Sequence, residues 1–415
     1  MDKFAATSIG AVSLYALLSA FYKGVQTFYS DPATIPPAKR SAFVGSGIMP
    51  SVDVIVPCFN EDPCTLFECL SSIASQEYSG KLQIYVVDDG SDNRGSLAQV
   101  HDVFAHDPRF VFINLEDNVG KRKAQISAIR RSTGDLVLNI DSDTTADSDV
   151  VAKLALRMRD PSVGAVMGQL TASNRRKTWL TRLIDMEYWL ACNEERAAQG
   201  RFGAVMCCCG PCAMYRRSAL LLLIDRYETQ VFRGRISNFG EDRHLTILML
   251  EAGFRTEYVP DACVATVVPD RLSSYLRQQL RWARSTYRDT LLALYILPRL
   301  DGYLTLDVIG QNIGLLLLTV SLIAGIAQVF STASVPWWPS LMIVLMTIIR
   351  CCVASVRARQ LRFLGFLFHM PINIFLLIPL KIYALFTISN SNWLSRGSPY
   401  DGQKSVYIKS VTVST

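Results

Sequence analysis

The spacing of hydrophobic positions changes several times along the chain, and each change marks a boundary. Residues 4–22 run nineteen positions without a charge, long enough to cross the hydrocarbon core of a bilayer. No small-residue cleavage site follows, so this stretch reads as a retained transmembrane anchor. Residues 23–50 contain Pro32, Pro36, Pro37, Gly45, Gly47 and Pro50, the composition of a linker. Over 51–268, short β-branched runs alternate with helical periodicity. The spacing predicts strands at 52–56, 82–87, 110–114 and 136–140, and helices near 64–77, 94–105 and 121–132. Such alternation implies an α/β domain on a mostly parallel sheet covered on both faces, with ligands beyond the carboxyl ends of the strands.

Residues 269–300 read as interfacial amphipathic helices, and 301–390 as a membrane region. Within it, 308–330 and 335–349 are apolar spans. A weaker third segment, 363–388, is apolar apart from His369 and Lys381. It holds Pro371 and Pro379, as a re-entrant or in-plane helix does. Residues 391–415 form a polar tail. Lys23, Lys39 and Arg40 follow the anchor, so the positive-inside bias puts the α/β domain in the cytoplasm and the amino terminus outside.

Composition narrows the classes further. Half of the 415 residues are hydrophobic and 19% are charged, which excludes wholesale disorder. A net charge of +6 spread over this length is too mild for a nucleic-acid binder, and makes membrane lipid the fitting anionic partner. Eleven cysteines, an odd number without framework spacing, indicate a reducing compartment. A zinc site at Cys209 and Cys212 lacks a second ligand pair, so the Cys207–Cys209 run and Cys212 read as buried small residues.

Carboxylates then collect at the strand ends. Asp88-Asp89-Gly90 closes the second predicted strand and Asp141-Ser142-Asp143 the fourth. Residues two apart on an extended strand end point the same way, so Asp141 and Asp143 can reach one hard cation, Mg²⁺ or Mn²⁺, holding a diphosphate. A solvated acidic turn is the bland reading of either motif alone. Two such ends in one domain favour the metal. Gly120-Lys121-Arg122-Lys123 opens a helix with three cations beside free N–H groups, a phosphate grip without the spacing of a nucleoside triphosphatase loop. Glu241-Asp242-Arg243 precedes an apolar helix, where either carboxylate could be a first-turn acid or a general base. Gln278, Arg281 and Trp282 fall at i, i+3 and i+4, offering an amide, a guanidinium and an aromatic plate on one helix face. Arg277, Arg281, Arg284 and Arg288 also make a basic stripe suited to anionic headgroups.

Taken in this order and ending at membrane segments, these motifs resemble the processive family 2 inverting glycosyltransferases, the cellulose, chitin and hyaluronan synthases. Within that family the chain is most similar to the rhizobial nodulation N-acetylglucosaminyltransferases, on Val52–Pro57, Gly120–Ala124, Asp185–Arg196 and Cys207–Arg217. The resemblance implies a GT-A nucleotide-sugar-binding fold flanked by transmembrane and interfacial helices, in the bacterial inner membrane. It implies a UDP-GlcNAc donor, a Mg²⁺ or Mn²⁺ cofactor and a growing chitin-oligosaccharide acceptor, the backbone of nodulation factors. A deacetylase and an acyltransferase of the same pathway would act downstream.

By position, Phe59 and Glu61 would flank the uracil, and Asp88, Asp89 and Lys121 would complete the nucleotide pocket. Asp143 would bind the metal beside Asp141, and Asp242, between Glu241 and Arg243, would be the base. Gln278 and Arg281 would hold the diphosphate and Trp282 would stack under the acceptor's terminal sugar. Gly210, Pro211 and Cys212 would line the acceptor channel. Trp393 and Arg396, in Trp-Leu-Ser-Arg where hyaluronan synthases have Trp-Gly-Thr-Arg, are a candidate gate, expected on the cytoplasmic side. Two rival classes stand beside this one. A hyaluronan or chitin polymer synthase would differ in donors or product length. A non-enzymatic receptor or export component would be expected to lose the Asp-x-Asp or the base.

Overall fold

The computed structural model describes residues 3–31 and 49–390. Ten strands form: β1 Val52–Cys58, β2 Leu82–Asp88, β3 Phe110–Asn114, β4 Leu136–Asn139, β5 Thr144–Ala146, β6 Val163–Ala172, β7 Ala213–Arg216, β8 Val231–Phe232, β9 Arg235–Ile236 and β10 Arg255–Thr266. The four expected strands are β1 to β4. Helices Pro63–Ala74, Arg94–Phe104 and Lys121–Arg131 sit where the periodicity predicts them.

Eight strands make one sheet in the order β3-β2-β1-β4-β7-β6-β10-β5. β1 is buried along its whole length, as befits a central parallel strand covered on both faces. Its one carboxylate, Asp53, is satisfied by the Thr133 and Gly134 amides, each donating at 2.7 Å. The sheet is mixed, which corrects the mostly parallel expectation. β7 runs antiparallel between β4 and β6, and β5 antiparallel on β10. The departure arises beyond β4, where the Gly210–Cys212 turn feeds a four-residue strand back into the sheet. Because β1, β2 and β4 are parallel, the segments after them, carrying Phe59, Asp89 and Asp141 to Asp143, gather at one sheet edge.

Among the described residues, four helical segments are long and apolar enough to cross a membrane: Lys3–Ser30, Gly302–Thr332, Trp337–Ala358 and Leu361–Phe386. The first runs eight residues past Tyr22, so the start of the expected linker is helix. It packs on Gly302–Thr332 through reciprocal hydroxyl bonds, Ser8 Oγ to the Ser321 carbonyl at 2.9 Å and Ser321 Oγ to the Ser8 carbonyl at 3.1 Å. Asp307 ties the long apolar helices to the sheet domain. It accepts from Tyr22 Oη at 2.6 Å and from Gln199 Nε2 at 2.7 Å.

The last segment is broken into a 3₁₀ stretch, Leu361–Phe368, a short α-helical turn, His369–Ile372, a π stretch, Asn373–Leu377, and a final α-helix, Ile378–Phe386. Pro371 and Pro379 each remove a backbone donor, which accounts for the irregular winding between them. One end of the segment returns to the α/β unit, where Arg362 pairs with Asp185, and just past the other end Thr387 Oγ1 accepts from Arg284 of helix Leu272–Ala293 at 3.0 and 3.1 Å. Trp393 and Arg396 lie outside the described residues.

In helix Leu272–Ala293, Arg277 is exposed and Arg281 half-buried, while the carboxyl-terminal half of the arginine stripe is turned into protein instead of toward headgroups. Arg284 and Arg288 are each only 2% exposed. Arg288 Nη2 donates to the Phe239 carbonyl at 2.6 Å and its Nε lies 3.3 Å from Asp289. That face is packed against protein.

Candidate active site

A continuous cavity of about 1550 Å³ opens at the carboxyl edge of the sheet and continues between the long apolar helices, past Tyr22 and Gly314. At its centre, Lys121 Nζ lies 2.6 Å from Asp141 Oδ1 and 3.3 Å from Glu241 Oε1. Burial works against the ammonium, but Asp141 and Glu241 outweigh it and raise its pKa. Glu241 feels the same pair from the other side: burial disfavours its charge, Lys121 overcomes that, and its pKa falls. The loop presenting Lys121 is clamped by Asp89, whose two oxygens accept from Val119 N at 2.8 Å and Gly120 N at 3.0 Å. A carboxylate at the end of β2 thus fixes the helix start that reads as a phosphate grip.

Asp242 opens helix Glu241–Glu251 behind Gly240, which has φ +81°. A Cβ there would meet the Ser285 side chain at 2.5 Å. The Asp242 Oδ2 accepts from the Gly210 amide at 3.2 Å and from Cys207 Sγ at 3.7 Å, and its Oδ1 from the Arg243 amide at 2.8 Å. Burial, and then the neighbouring Glu241 charge, raise its pKa. Two adjacent carboxylates are therefore driven apart, Glu241 held ionised on Lys121 and Asp242 made more basic. That separation is what a division of acid–base labour requires.

Gly210 lets the Lys121 ammonium approach the turn closely. A Cβ would lie 2.9 Å from Lys121 Nζ and 3.6 Å from Asp141 Oδ1. Asp141 and Asp143 both face the cavity, and Thr266 Oγ1 donates to Asp143 Oδ1 at 3.1 Å. Two hard carboxylate donors on one wall suit Mg²⁺ or Mn²⁺. Opposite, Gln278, Arg281 and Trp282 line the cavity from one helix, with the Tyr188 ring 6.4 Å from the Trp282 ring. Phe59, Pro211 and Arg243 complete the wall.

Three expected site residues are placed elsewhere. Asp88 is wholly buried and turned inward, accepting from the Ser91 amide at 3.0 Å and Arg94 Nε at 2.8 Å, so it closes a turn. Glu61 stands behind the wall, where it accepts from Ser142 Oγ at 2.6 Å. Cys212 points into the core, close over Gly168, while Gly210 and Pro211 face the cavity. Conversely, no chemical motif in the sequence assigns Cys207, Cys209 and Arg196 to the site. Arg196 Nη2 donates to Cys209 Sγ at 3.3 Å. The hydrogen bond with Cys207, against burial and with help from Arg196, lowers the pKa of the Cys209 thiol, while the same bond and burial push Cys207 up. Only the adjacency of the two cysteines to the Gly210 turn points toward the site.

Comparison with known proteins agrees with this geometry. Residues 53–222 match the model of glycosyl transferase family 2. An N-acetylglucosaminyltransferase of Rhizobium sp. (strain N33) is 71% identical over 95% of this chain and 88% of its own length. One from Bradyrhizobium diazoefficiens is 69% identical over 95% of this chain and 81% of its own. Among solved structures, a mannosyltransferase from Pyrobaculum calidifontis, in complex with GDP-Man and Mn²⁺, is similar in fold, with a TM-score of 0.61 at 20% identity, covering 90% of this chain and 99% of that one. The chain is an enzyme with a GT-A fold, and it belongs to the family 2 glycosyltransferases.

Proposed function

We propose that this enzyme transfers N-acetylglucosamine from UDP-GlcNAc to the 4-hydroxyl at the non-reducing end of a growing chitin oligosaccharide, inverting α to β. The observation that carries the reading is Asp242: a carboxylate of raised pKa, aimed by the Gly210 amide into the cavity that Asp141, Asp143, Arg281 and Trp282 share. The names borne by the 64–71% identical rhizobial relatives support the sugar.

In this reading Asp242 takes the acceptor hydroxyl proton as that oxygen attacks C1 of the donor and the bond to UDP breaks. Lys121 and Arg281 take up charge growing on the diphosphate, and Gln278 orients it. Trp282 stacks beneath the acceptor ring. Asp141 and Asp143 would hold a divalent ion, which when bound neutralises the leaving diphosphate. Asp89 fixes the position of Lys121, and Glu241 fixes its charge.

The same reading sets the enzyme in the bacterial inner membrane with its α/β unit cytoplasmic and its amino terminus periplasmic. Its product would be the backbone of nodulation factors, passed to a deacetylase and an acyltransferase. Incubating membranes with labelled UDP-GlcNAc alone and sizing the products tests it. Short β-1,4-linked N-acetylglucosamine oligomers are expected. Dependence on UDP-glucuronate, or release of free sugar only, would contradict it.

A further inference from the structure

Cys207 and Cys209 are absorbed by no step of the transfer reaction, yet both line its cavity. The objection to zinc along the sequence is the want of further ligands near the thiols. The fold supplies one from 33 residues beyond Cys209: a carboxylate oxygen of Asp242 and the sulfurs of Cys207 and Cys209 all lie within 4.8 Å of one another. Cys207 Sγ already touches Asp242 Oδ2 at 3.7 Å. Two sulfurs and one oxygen at this spacing need small rotations to converge on a soft or borderline divalent ion.

Charge supports the same reading at Cys209; at Cys207 the hydrogen bond with Cys209, burial and Asp242 hold the proton until the ion displaces it. Each thiol must lose its proton to ligate, and the Arg196 guanidinium, 3.3 Å from Cys209 Sγ, favours the thiolate. With two thiolates, one carboxylate, the ion's two positive charges and Arg196, the assembly is neutral. The neighbouring cysteines are not alternatives: Cys208 and Cys212 are fully buried in the core. Asp141 and Asp143 offer oxygen only, so the two sites differ in the class of metal they prefer.

We propose that Cys207, Cys209 and Asp242 form a second metal site, selective for soft divalent ions such as Cd²⁺ or Zn²⁺, distinct from the hard-cation site at Asp141 and Asp143. Binding releases two thiol protons to solvent and forms two metal–sulfur bonds and one metal–oxygen bond. Its consequence for catalysis rests on the proposed function: an ion there occupies the base, so the enzyme is switched off by thiophilic metal while Mg²⁺ or Mn²⁺ remains in excess.

The test titrates CdCl₂ into the full-length, reduced protein in detergent with Mg²⁺ in excess, following the thiolate-to-cadmium charge-transfer absorption in the ultraviolet. The difference between the wild type and Cys207→Ser/Cys209→Ser is expected to saturate at one ion per chain. Asp242→Asn should keep the sulfur absorption and weaken Cd²⁺ binding roughly tenfold or more. If the double variant loses its native circular dichroism, Cys209→Ala alone takes its place, with the same weakening expected. Equal Cd²⁺ binding by wild type and cysteine variants overturns the site. Sugar transfer measured in the same titration separates the two claims. Loss of transfer in step with the absorption upholds both. Saturated absorption with undiminished transfer upholds the metal site and removes Asp242 from the base role.

Discussion

The backbone amide of Gly210 donates to Asp242 Oδ2 at 3.2 Å, joining a turn that enters β7 to the first turn of the Glu241–Glu251 helix. The same glycine leaves room for Lys121 against Asp141. One residue thus sets the positions of both Asp242 and Lys121.

Gly210→Ala follows from that arrangement. The added methyl lies 2.9 Å from Lys121 Nζ, the mobile end of a long side chain, so the lysine is displaced while the fold survives. The KM for UDP-GlcNAc should rise roughly tenfold, the worth of one charge-assisted hydrogen bond, with an unchanged melting temperature. Steady-state kinetics beside a thermal melt check it.

Asp143→Ala should weaken UDP binding about tenfold or more when Mn²⁺ is present, and change it little when Mn²⁺ is chelated. Calorimetry with and without the ion makes the comparison. Equal Mn²⁺-dependent binding in wild type and variant would remove Asp143 from the metal site.

Arg288→Leu tests the support of the base loop. It strips a buried partner from Asp289, whose pKa burial already raises, and frees the Phe239 carbonyl just before Gly240. Loss of one member of such a pair costs about 3 kcal/mol or more, and Arg288→Leu/Asp289→Asn should regain part of it. Thermal unfolding of the detergent-solubilised variants reads the difference.

Alkaline phosphatase fused after residue 400 should stay inactive, because the start of Leu361–Phe386 is tied to Asp185 of the α/β unit and Thr387, just past its end, to Arg284 of the helix that carries Gln278 and Arg281 into the cavity. The reporter needs periplasmic disulfides. Strong activity would mean that the segment crosses the membrane completely.

Strands β1 to β4 are legible in the sequence because they are β-branched runs bounded by turn residues, and the acidic strand ends because an α/β topology puts them at one edge. Gln278, Arg281 and Trp282 follow from helical spacing. The features that stay hidden depend on long-range contacts. Nothing local tells that Asp88 turns in toward Arg94 while its neighbour Asp89 reaches Gly120. The arginine stripe on Leu272–Ala293 has the pattern of a headgroup-binding face, and only Asp289 and the Phe239 carbonyl reveal that Arg288 is buried. The antiparallel insertion of β7 is likewise a property of the sheet and not of its four residues.

The pH dependence carries the sign of the Asp242 shift. A base works only when ionised, so kcat/KM falls as pH drops through its pKa. Because burial and Glu241 raise that pKa, the acidic limb should lie above the ordinary carboxylate value of about 4. A profile flat down to that value would contradict the assignment.

The most direct measurement pairs sugar transfer with UDP binding in Asp242→Asn. Transfer should fall by roughly a hundredfold or more while the Kd for UDP with Mn²⁺ stays at the wild-type value, because the base acts on the acceptor hydroxyl and makes no bond to the nucleotide. Wild-type turnover in the variant, or a loss of UDP affinity as large as the loss of rate, would contradict the account.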